Sequence, residues 1–260
     1  MQTIRDRRYA AAVLQETHVS RKEMRALQGM FKRCHGLHSF GTPGTYCTNR
    51  KGHRRGVLVV WDPTQLLCEE QEVVQHGRIV RTRMRSMEDG TAFSLMGAYM
   101  PNRDDPVDEI DEAWGLLNLH ASANDALVCG DLNVPIGDAS EGAAVRWIRD
   151  TIDDCNLTRV SGEGYTYEKG ERRTCIDHWL AGSTVAGRVK DGGYEAKVSD
   201  HWGVVLEYLL TPKRGEGSEW GPERPAKPRM HMLDRDGWKA YEKVVGEHCR
   251  DCLLYTSDAA

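Results

Sequence analysis

Apolar residues fall in short runs up to about residue 210, and turn residues separate them. The runs are residues 11–15, 56–61, 78–84, 93–100, 126–129, 165–167, 174–180 and 202–210. Most are rich in β-branched or aromatic residues and bounded by Gly, Pro, Asn or Asp, which predicts strands. Residues 78–84 alternate polar and apolar, as a strand with one buried face does. Two segments follow a different spacing. Ile110, Trp114 and Leu117 within 107–119, and Val145, Ile148 and Ile152 within 142–155, recur every three or four positions and predict helices. Many strands with a few helices between them predict a mixed α/β domain, with sheets inside and helices outside.

The pattern changes after residue 210. Residues 211–229 carry Pro212, Pro222, Pro225 and Pro228 with several glycines and many charges, which predicts a linker. Over 230–252, Leu233, Trp238, Tyr241, Val244 and Val245 make an amphipathic stripe, with Asp234 or Asp236 available as a helix cap. One short helix cannot bury its face alone, so it is expected to dock on the main domain or to begin a connector to another. Residues 253–260 do not continue the stripe and resemble translated sequencing-adapter sequence, an artefactual tail. There is no internal repeat.

Composition narrows the classes. The chain has 260 residues, enough for one large domain with its own core. Hydrophobic residues at 40% and charged residues at 28% exclude a disordered chain. A net charge of -4 excludes a globally basic footprint, so any nucleic-acid contact has to be local. Arg54 and Arg55, the alternating Arg81, Arg83 and Arg85, and the pair Arg172 and Arg173 are the candidates, although surface arginines are commonly just solvated. The eight cysteines follow no secretory leader, so free thiols in a reducing compartment, nuclear or cytoplasmic, are expected. Cys249 and Cys252 form a C-x-x-C without the second ligand pair that a zinc site needs. No apolar run approaches the length of a membrane span.

Four motifs end or follow predicted strands: Leu14-Gln15-Glu16-Thr17, Gly130-Asp131-Leu132-Asn133, Ile176-Asp177-His178 and Ser199-Asp200-His201. Gly97-Ala98-Tyr99-Met100-Pro101 lies between the first two. Singly, each is commonplace: Asp-x-Asn often only makes a turn, and a contiguous Ser-Asp-His cannot form a hydrolase triad because successive side chains of an extended chain point apart. Together they suit phosphodiester hydrolysis, which needs charge neutralised on the phosphoryl oxygens, a water oriented and the leaving oxygen assisted. Mg²⁺ prefers one or two carboxylates and keeps several waters, and Glu16 supplies a carboxylate. Asp131 can hold the attacking water, with Asn133 fixing its neighbour. His201 can reach the phosphate, with Asp177 orienting its imidazole.

These five motifs, in this order over residues 10–210, resemble the endonuclease/exonuclease/phosphatase (DNase I-like) superfamily: L-Q-E at Glu16, Y-x-P at Tyr99 and Pro101, G-D-x-N at Asp131 and Asn133, I-D-H at Asp177, and S-D-H at Asp200 and His201. The resemblance implies a four-layered α/β sandwich with two sheets face to face. It implies that Glu16 binds the metal, Mg²⁺ or Mn²⁺, and that Asp200 serves the metal or its waters. Tyr99 would contact the phosphate, Asp131 would position or deprotonate the water, and Asn133 would help hold it. His201 would bind the phosphate, paired with Asp177. Asp200 and His201 share a site only if they lie in the turn before the last strand. The family's pattern also places an Asn on a strand well before L-Q-E. Glu16 stands close to the start of the chain and no Asn precedes it. Residues 5–12 resemble the tail of the helix that follows that strand. A first strand and one site residue are thus expected to be missing, which would leave neighbouring strands unpaired.

Within the superfamily, the compact domain, the proline-rich linker and the Trp-bearing helix look most like the endonuclease part of a non-LTR retrotransposon polyprotein. The resemblance implies DNA as substrate and a reverse transcriptase as partner, which lies outside this chain because no polymerase motif is present. A free-standing abasic-site or DNase I-like nuclease, a small-molecule phosphodiesterase or phosphatase, and an inactive fragment of a decayed element are the alternatives. Residues 41–55 and 163–173 are the candidate substrate loops.

Overall fold

A computed structural model describes residues 9–48, 51–136, 143–161, 164–197, 200–208 and 229–231. In chain order, β1 (Tyr9–Leu14) and α1 (Arg21–His35) precede β2 (His38–Thr42), β3 (Thr45–Cys47), β4 (Gly52–Arg54) and β5 (Val57–Trp61). Then come β6 (Leu66–Gln75), β7 (Ile79–Ser86), β8 (Ala92–Tyr99), α2 (Val107–Ala121), β9 (Ala126–Asp131), α3 (Ala143–Asp154) and β10 (Leu157–Arg159). The rest are β11 (Tyr167–Lys169), β12 (Arg172–Thr174), β13 (Asp177–Gly182), the short α4 (Ser183–Ala186), β14 (Val189–Lys197), β15 (Trp202–Tyr208) and β16 (Arg229–His231).

The strands build two six-stranded sheets, ordered β14-β15-β16-β1-β5-β2 and β10-β13-β9-β8-β7-β6, with β3-β4 and β11-β12 as separate ribbons. Side-chain alternation explains how they stack. On β1 and β5, Ala11, Val13, Val57 and Val59 enter a central core with Val80, Phe93, Leu95, Leu127 and Trp179 of the second sheet. The alternate residues Ala12, Leu14, Leu58 and Val60 face the other way, onto Met24, Leu27, Met30 and Phe31 of α1. The second sheet repeats this: Met96, Ala98, Val128 and Leu180 meet Trp114 and Leu117 of α2 and Ile148 of α3. A sheet with a partner sheet on one side and helices on the other buries both faces of its strands. The result is the expected four-layered α/β sandwich.

Several boundaries differ from the sequence expectation, each for a local reason. α1 was not foreseen, although Ser20 and Glu23 form a capping box. Gly36 closes this helix in a left-handed conformation at φ 65°, the usual role of a glycine there. The strand expected at residues 11–15 begins earlier, at Tyr9, in place of the helix tail that residues 5–12 resemble, because the run from Tyr9 to Leu14 is buried on both faces and pairs with β5. Residues 174–180 divide between β12 and β13. Arg229–His231 were expected where linker meets helix. They form β16 instead, between β1 and β15, parallel to the first and antiparallel to the second. The amphipathic stripe after Met232, the bulk of the linker, the C-x-x-C and the tail lie outside the described residues. Arg81, Arg83 and Arg85 pair with Glu70 and Glu72, Asp125, and Glu69 respectively, so this alternating row is neutralised within the fold.

The central core tolerates little extra volume at Gly97. A Cβ there would stand 2.7 Å from Val13 Cγ1 and 3.0 Å from Val57 Cγ1. Gly97→Ala should therefore lower stability by about 1–3 kcal/mol, overriding the unfolded-state gain that such a change usually brings. In a urea double-mutant cycle, Val13→Ala should recover part of the loss. A stabilised Gly97→Ala would contradict the face-to-face packing.

Candidate active site

Strand register assembles the site. In the parallel pair β8-β9, Tyr99 stands opposite Asp131, and in the antiparallel pair β9-β13, Asp131 stands opposite Asp177. Three chemical side chains thus line one end of the second sheet on adjacent strands. The end of β1 in the other sheet brings Glu16, whose Oε1 accepts a 2.6 Å hydrogen bond from the Tyr99 hydroxyl. Glu16 and His18 adopt left-handed backbone, at φ 50° and 53°. That tight loop is held by Thr17 N donating to Gly56 O (3.2 Å) and His18 N donating to Arg55 O (3.0 Å).

His201 directly precedes β15, with Asp200 before it, as the resemblance required. Its Nδ1 lies 2.9 Å from Asp177 Oδ2, and its ring meets Tyr167 edge-on at 5.0 Å. Asp177 is fully buried. Thr166, also fully buried, accepts the backbone N–H groups of Ile176 and Asp177 at 3.0 and 2.9 Å, and its carbonyl accepts Trp202 N at 2.6 Å. One threonine therefore ties the Asp177 strand to the His201 strand; nothing in the sequence pattern singled it out.

Asn133 sits at φ 55°, and its N–H donates to Asp131 Oδ1 at 2.9 Å. Its Nδ2 donates to Met100 O at 2.8 Å, so the amide bridges the G-D-x-N turn to the end of β8. Gly130 is needed beside it: at φ 146° an added Cβ would fall 1.9 Å from Ala98 O.

Electrostatics set the protonation states. Burial, then the neighbouring Asp177 charge, pushes the Asp131 carboxyl well above its ordinary range, against the pull of His201 and the Asn133 N–H. Burial alone would lower His201, but the Asp177 hydrogen bond and the surrounding carboxylates raise it to about 9, so it is a cation at neutral pH. Glu16 is held lower than usual, first by His18 and also by Tyr99, against the effect of burial. Burial and the Glu16 charge push the Tyr99 phenol upward, keeping it a donor.

Asp131, Asp177 and His201 offer ligand atoms that lie within 4.8 Å of one another. Two buried carboxylates with Glu16 nearby face one cation, His201, and one oxygen of Asp177 lacks a hydrogen-bond partner. A donor set this rich in desolvated negative oxygen fits a hard divalent cation. Glu16 and Asp200, expected to serve the metal, fall outside that trio, and the Glu16 carboxylate borders it through Tyr99. The first candidate substrate loop contains the hairpin β3-β4 with exposed Tyr46; the second holds exposed Tyr165 and most of the hairpin β11-β12 after it, with Arg173 over the Tyr165 ring at 4.8 Å.

Carboxylates, a charged histidine and a phenol are thus gathered at the strand ends of an α/β sandwich. A family model described as the endonuclease/exonuclease/phosphatase family matches residues 2–201. The chain belongs to this family, whose members hydrolyse phosphodiester and phosphate-ester bonds. Among solved structures, it is similar to a 3' phosphatase from Neisseria bound to product DNA hairpin, at 18% identity and TM-score 0.62, covering 80% of this chain and 91% of that one. It is similar to the endonuclease domain of TRAS1, a telomere-specific non-LTR retrotransposon, at 14% identity and TM-score 0.54, covering 77% and 98%. An abasic-site (AP) endonuclease from Leishmania major matches at 16% identity and TM-score 0.58, covering 77% and 78%. No curated protein matches by sequence. Among the described residues, no helix is long and apolar enough to cross a membrane.

His178 is buried next to Asp177, and its Nε2 donates to Val134 O at 3.0 Å. Burial lowers it from the ordinary 6.5 to about 4, so it is neutral in the fold. Because the folded form resists protonation, its stabilising contribution is complete above pH 6.5 and is lost as pH falls toward 4. The loss should reach about 3 kcal/mol. His178→Gln should show a shallower decline of unfolding free energy between those pH values; an unchanged slope would contradict the buried neutral imidazole.

Proposed function

We propose that this chain is a Mg²⁺-dependent DNA endonuclease that nicks target DNA for a retrotransposon-like element. The observation that carries the reading is the alignment of Tyr99, Asp131 and Asp177 across β8, β9 and β13, with His201 locked onto Asp177. Glu16 and Asp200 would hold Mg²⁺, or Mn²⁺ in its place, with the oxygens of the Asp131 trio beside them. The bound ion would offset charge on the phosphoryl oxygens.

The residues divide the remaining work. His201, cationic and fixed by Asp177, donates to a phosphoryl oxygen, and that bond strengthens as charge builds there. Asp131, whose burial raises its proton affinity, takes the proton of the attacking water. Asn133 keeps the Asp131 turn in register through Met100 O. Tyr99 keeps its proton and contacts the phosphate while holding Glu16. The two hairpins with Tyr46 and with Tyr165 and Arg173 would stack on or flank the DNA. The TRAS1 domain, matched over 98% of its length, supports the endonuclease reading. The linker composition supports a reverse transcriptase partner in a longer polyprotein.

Nicking of supercoiled plasmid tests this. Asp131→Asn and His201→Ala should each lower the rate by about a hundredfold or more. EDTA should abolish nicking, and Mg²⁺ should restore it. Near-parental nicking in both variants would remove the site assignment. Hydrolysis of a phosphomonoester or a lipid phosphodiester without any nicking would remove DNA as the substrate.

A further inference from the structure

Arg78 is a charged side chain shut inside the protein, 1% exposed, and phosphoester chemistry gives it no task. It lies immediately before β7. Its Nε and Nη2 donate to Glu109 Oε1 at 3.0 and 2.7 Å, and its Nη2 also donates to Asp105 Oδ2 at 3.0 Å. Two carboxylates satisfy the cation, so it is not a free anion-binding group. The remaining arm points at Tyr99. Nη1 donates to Tyr99 O at 3.2 Å, Tyr99 N donates back to Arg78 O at 2.8 Å, and the guanidinium carbon lies 5.8 Å from the centre of the Tyr99 ring.

Glu109, on α2, has a second cation. Arg55 Nη2 reaches the same Oε1 at 2.5 Å. Arg55 is the residue whose carbonyl accepts His18 N and so pins the loop carrying Glu16. Gly56 N donates to Gly77 O at 2.8 Å, which joins the two arginine loops by backbone as well. One carboxylate oxygen thus ties the loop behind Glu16, which extends from the first sheet, to the end of β8, which belongs to the second. Those are the two elements that meet in the Tyr99–Glu16 hydrogen bond.

The geometry points to Glu109, with Arg78 and Arg55, as positioning residues that set where the Tyr99 phenol stands relative to the Glu16 carboxylate. None of the three has to touch substrate. Two sheets packed by apolar contact alone leave the relative height of their strand ends to the loops. A carboxylate paired to both sides removes that freedom. The placement follows from contacts in the fold. Its effect on turnover rests on the endonuclease reading above.

The test uses Glu109→Gln, which keeps shape and removes charge, and Arg78→Lys, which keeps charge and removes the fork. Arg55→Gln, at a half-buried position, serves if Glu109→Gln does not fold. Glu112→Gln, exposed on the same helix, is the control. Fluorotyrosine is incorporated, and the Tyr99 signal is assigned by its loss in Tyr99→Phe. In metal-free protein, ¹⁹F NMR should show that signal shifted or broadened in the clamp variants and unchanged in the control, with the other tyrosines unmoved. In Mg²⁺-driven nicking, kcat should fall by up to about a hundredfold with KM little changed, and half-saturation should need more Mg²⁺. A Tyr99 signal unchanged in every clamp variant overturns the proposal. A kcat loss matched by equal unfolding of all tyrosine signals also overturns it, since the residues would then be merely structural. If the signal moves but even the parent protein nicks nothing, the positioning inference stands and the endonuclease reading falls.

Discussion

Asp131 and Asp177 face each other across β9 and β13, both cut off from water, and the organisation of the site follows from keeping two like charges there. Separated from solvent, such a pair is costly unless something positive or a proton is close. His201 answers part of the need, and Asp177 holds it as a cation. Asp131 answers another part by a raised proton affinity. What is left over is an excess of negative oxygen beside Glu16, which is the condition that draws a hard divalent ion. The same imbalance that weakens the fold is what the proposed reaction would draw on.

The sandwich supplies what this arrangement requires. β9 and β13 are interior strands of their sheet, paired on both sides. The apolar layers on either side keep the dielectric low around Asp177. Thr166, Asn133 and His178 then direct their hydrogen bonds to backbone, fixing the turns that carry Asp177, Asp131 and Val134. The β3-β4 hairpin carries exposed Tyr46; the β11-β12 hairpin follows exposed Tyr165 and is tied to the His201 segment by Glu168 N donating to Asp200 O at 2.7 Å.

The surface charge has a corresponding division. Most arginines that a sequence reading would offer to a nucleic acid are engaged within the protein. Those of β7 pair across to β6 and to Asp125, and Arg55 is committed to Glu109. Arg173 lies over Tyr165 and pairs with Glu168 at 2.8 Å, so it too has a partner within the fold.

By itself, the sequence determined the class of fold and the family, and it named the polar residues that the structure gathers at one end of the sheets. Glu16, Asp131, Asn133, Asp177 and His201 sit in motifs of three or four residues, and each motif adjoins a strand whose apolar pattern is local. Period-two alternation in a segment such as Arg78 to Met84 needs no knowledge of the rest of the chain. α1 was equally legible in its Ser20–Glu23 cap and in the spacing of Met24, Leu27 and Phe31, but a helix rich in Lys and Arg hides a narrow apolar stripe. Only the tertiary structure decided which side chains meet. Arg78 looked like one more polar position in an alternating strand, and its partners Tyr99 and Glu109 are 21 and 31 positions away. Thr166 looked like a turn residue, and Tyr99 finds Glu16 across 83 positions. β16 could be placed only once β1 and β15 stood on either side of it. Hydrophobic periodicity reports which face of an element is buried. It carries no information on what that face is buried against, because register and layer order are settled by contacts far apart in the chain.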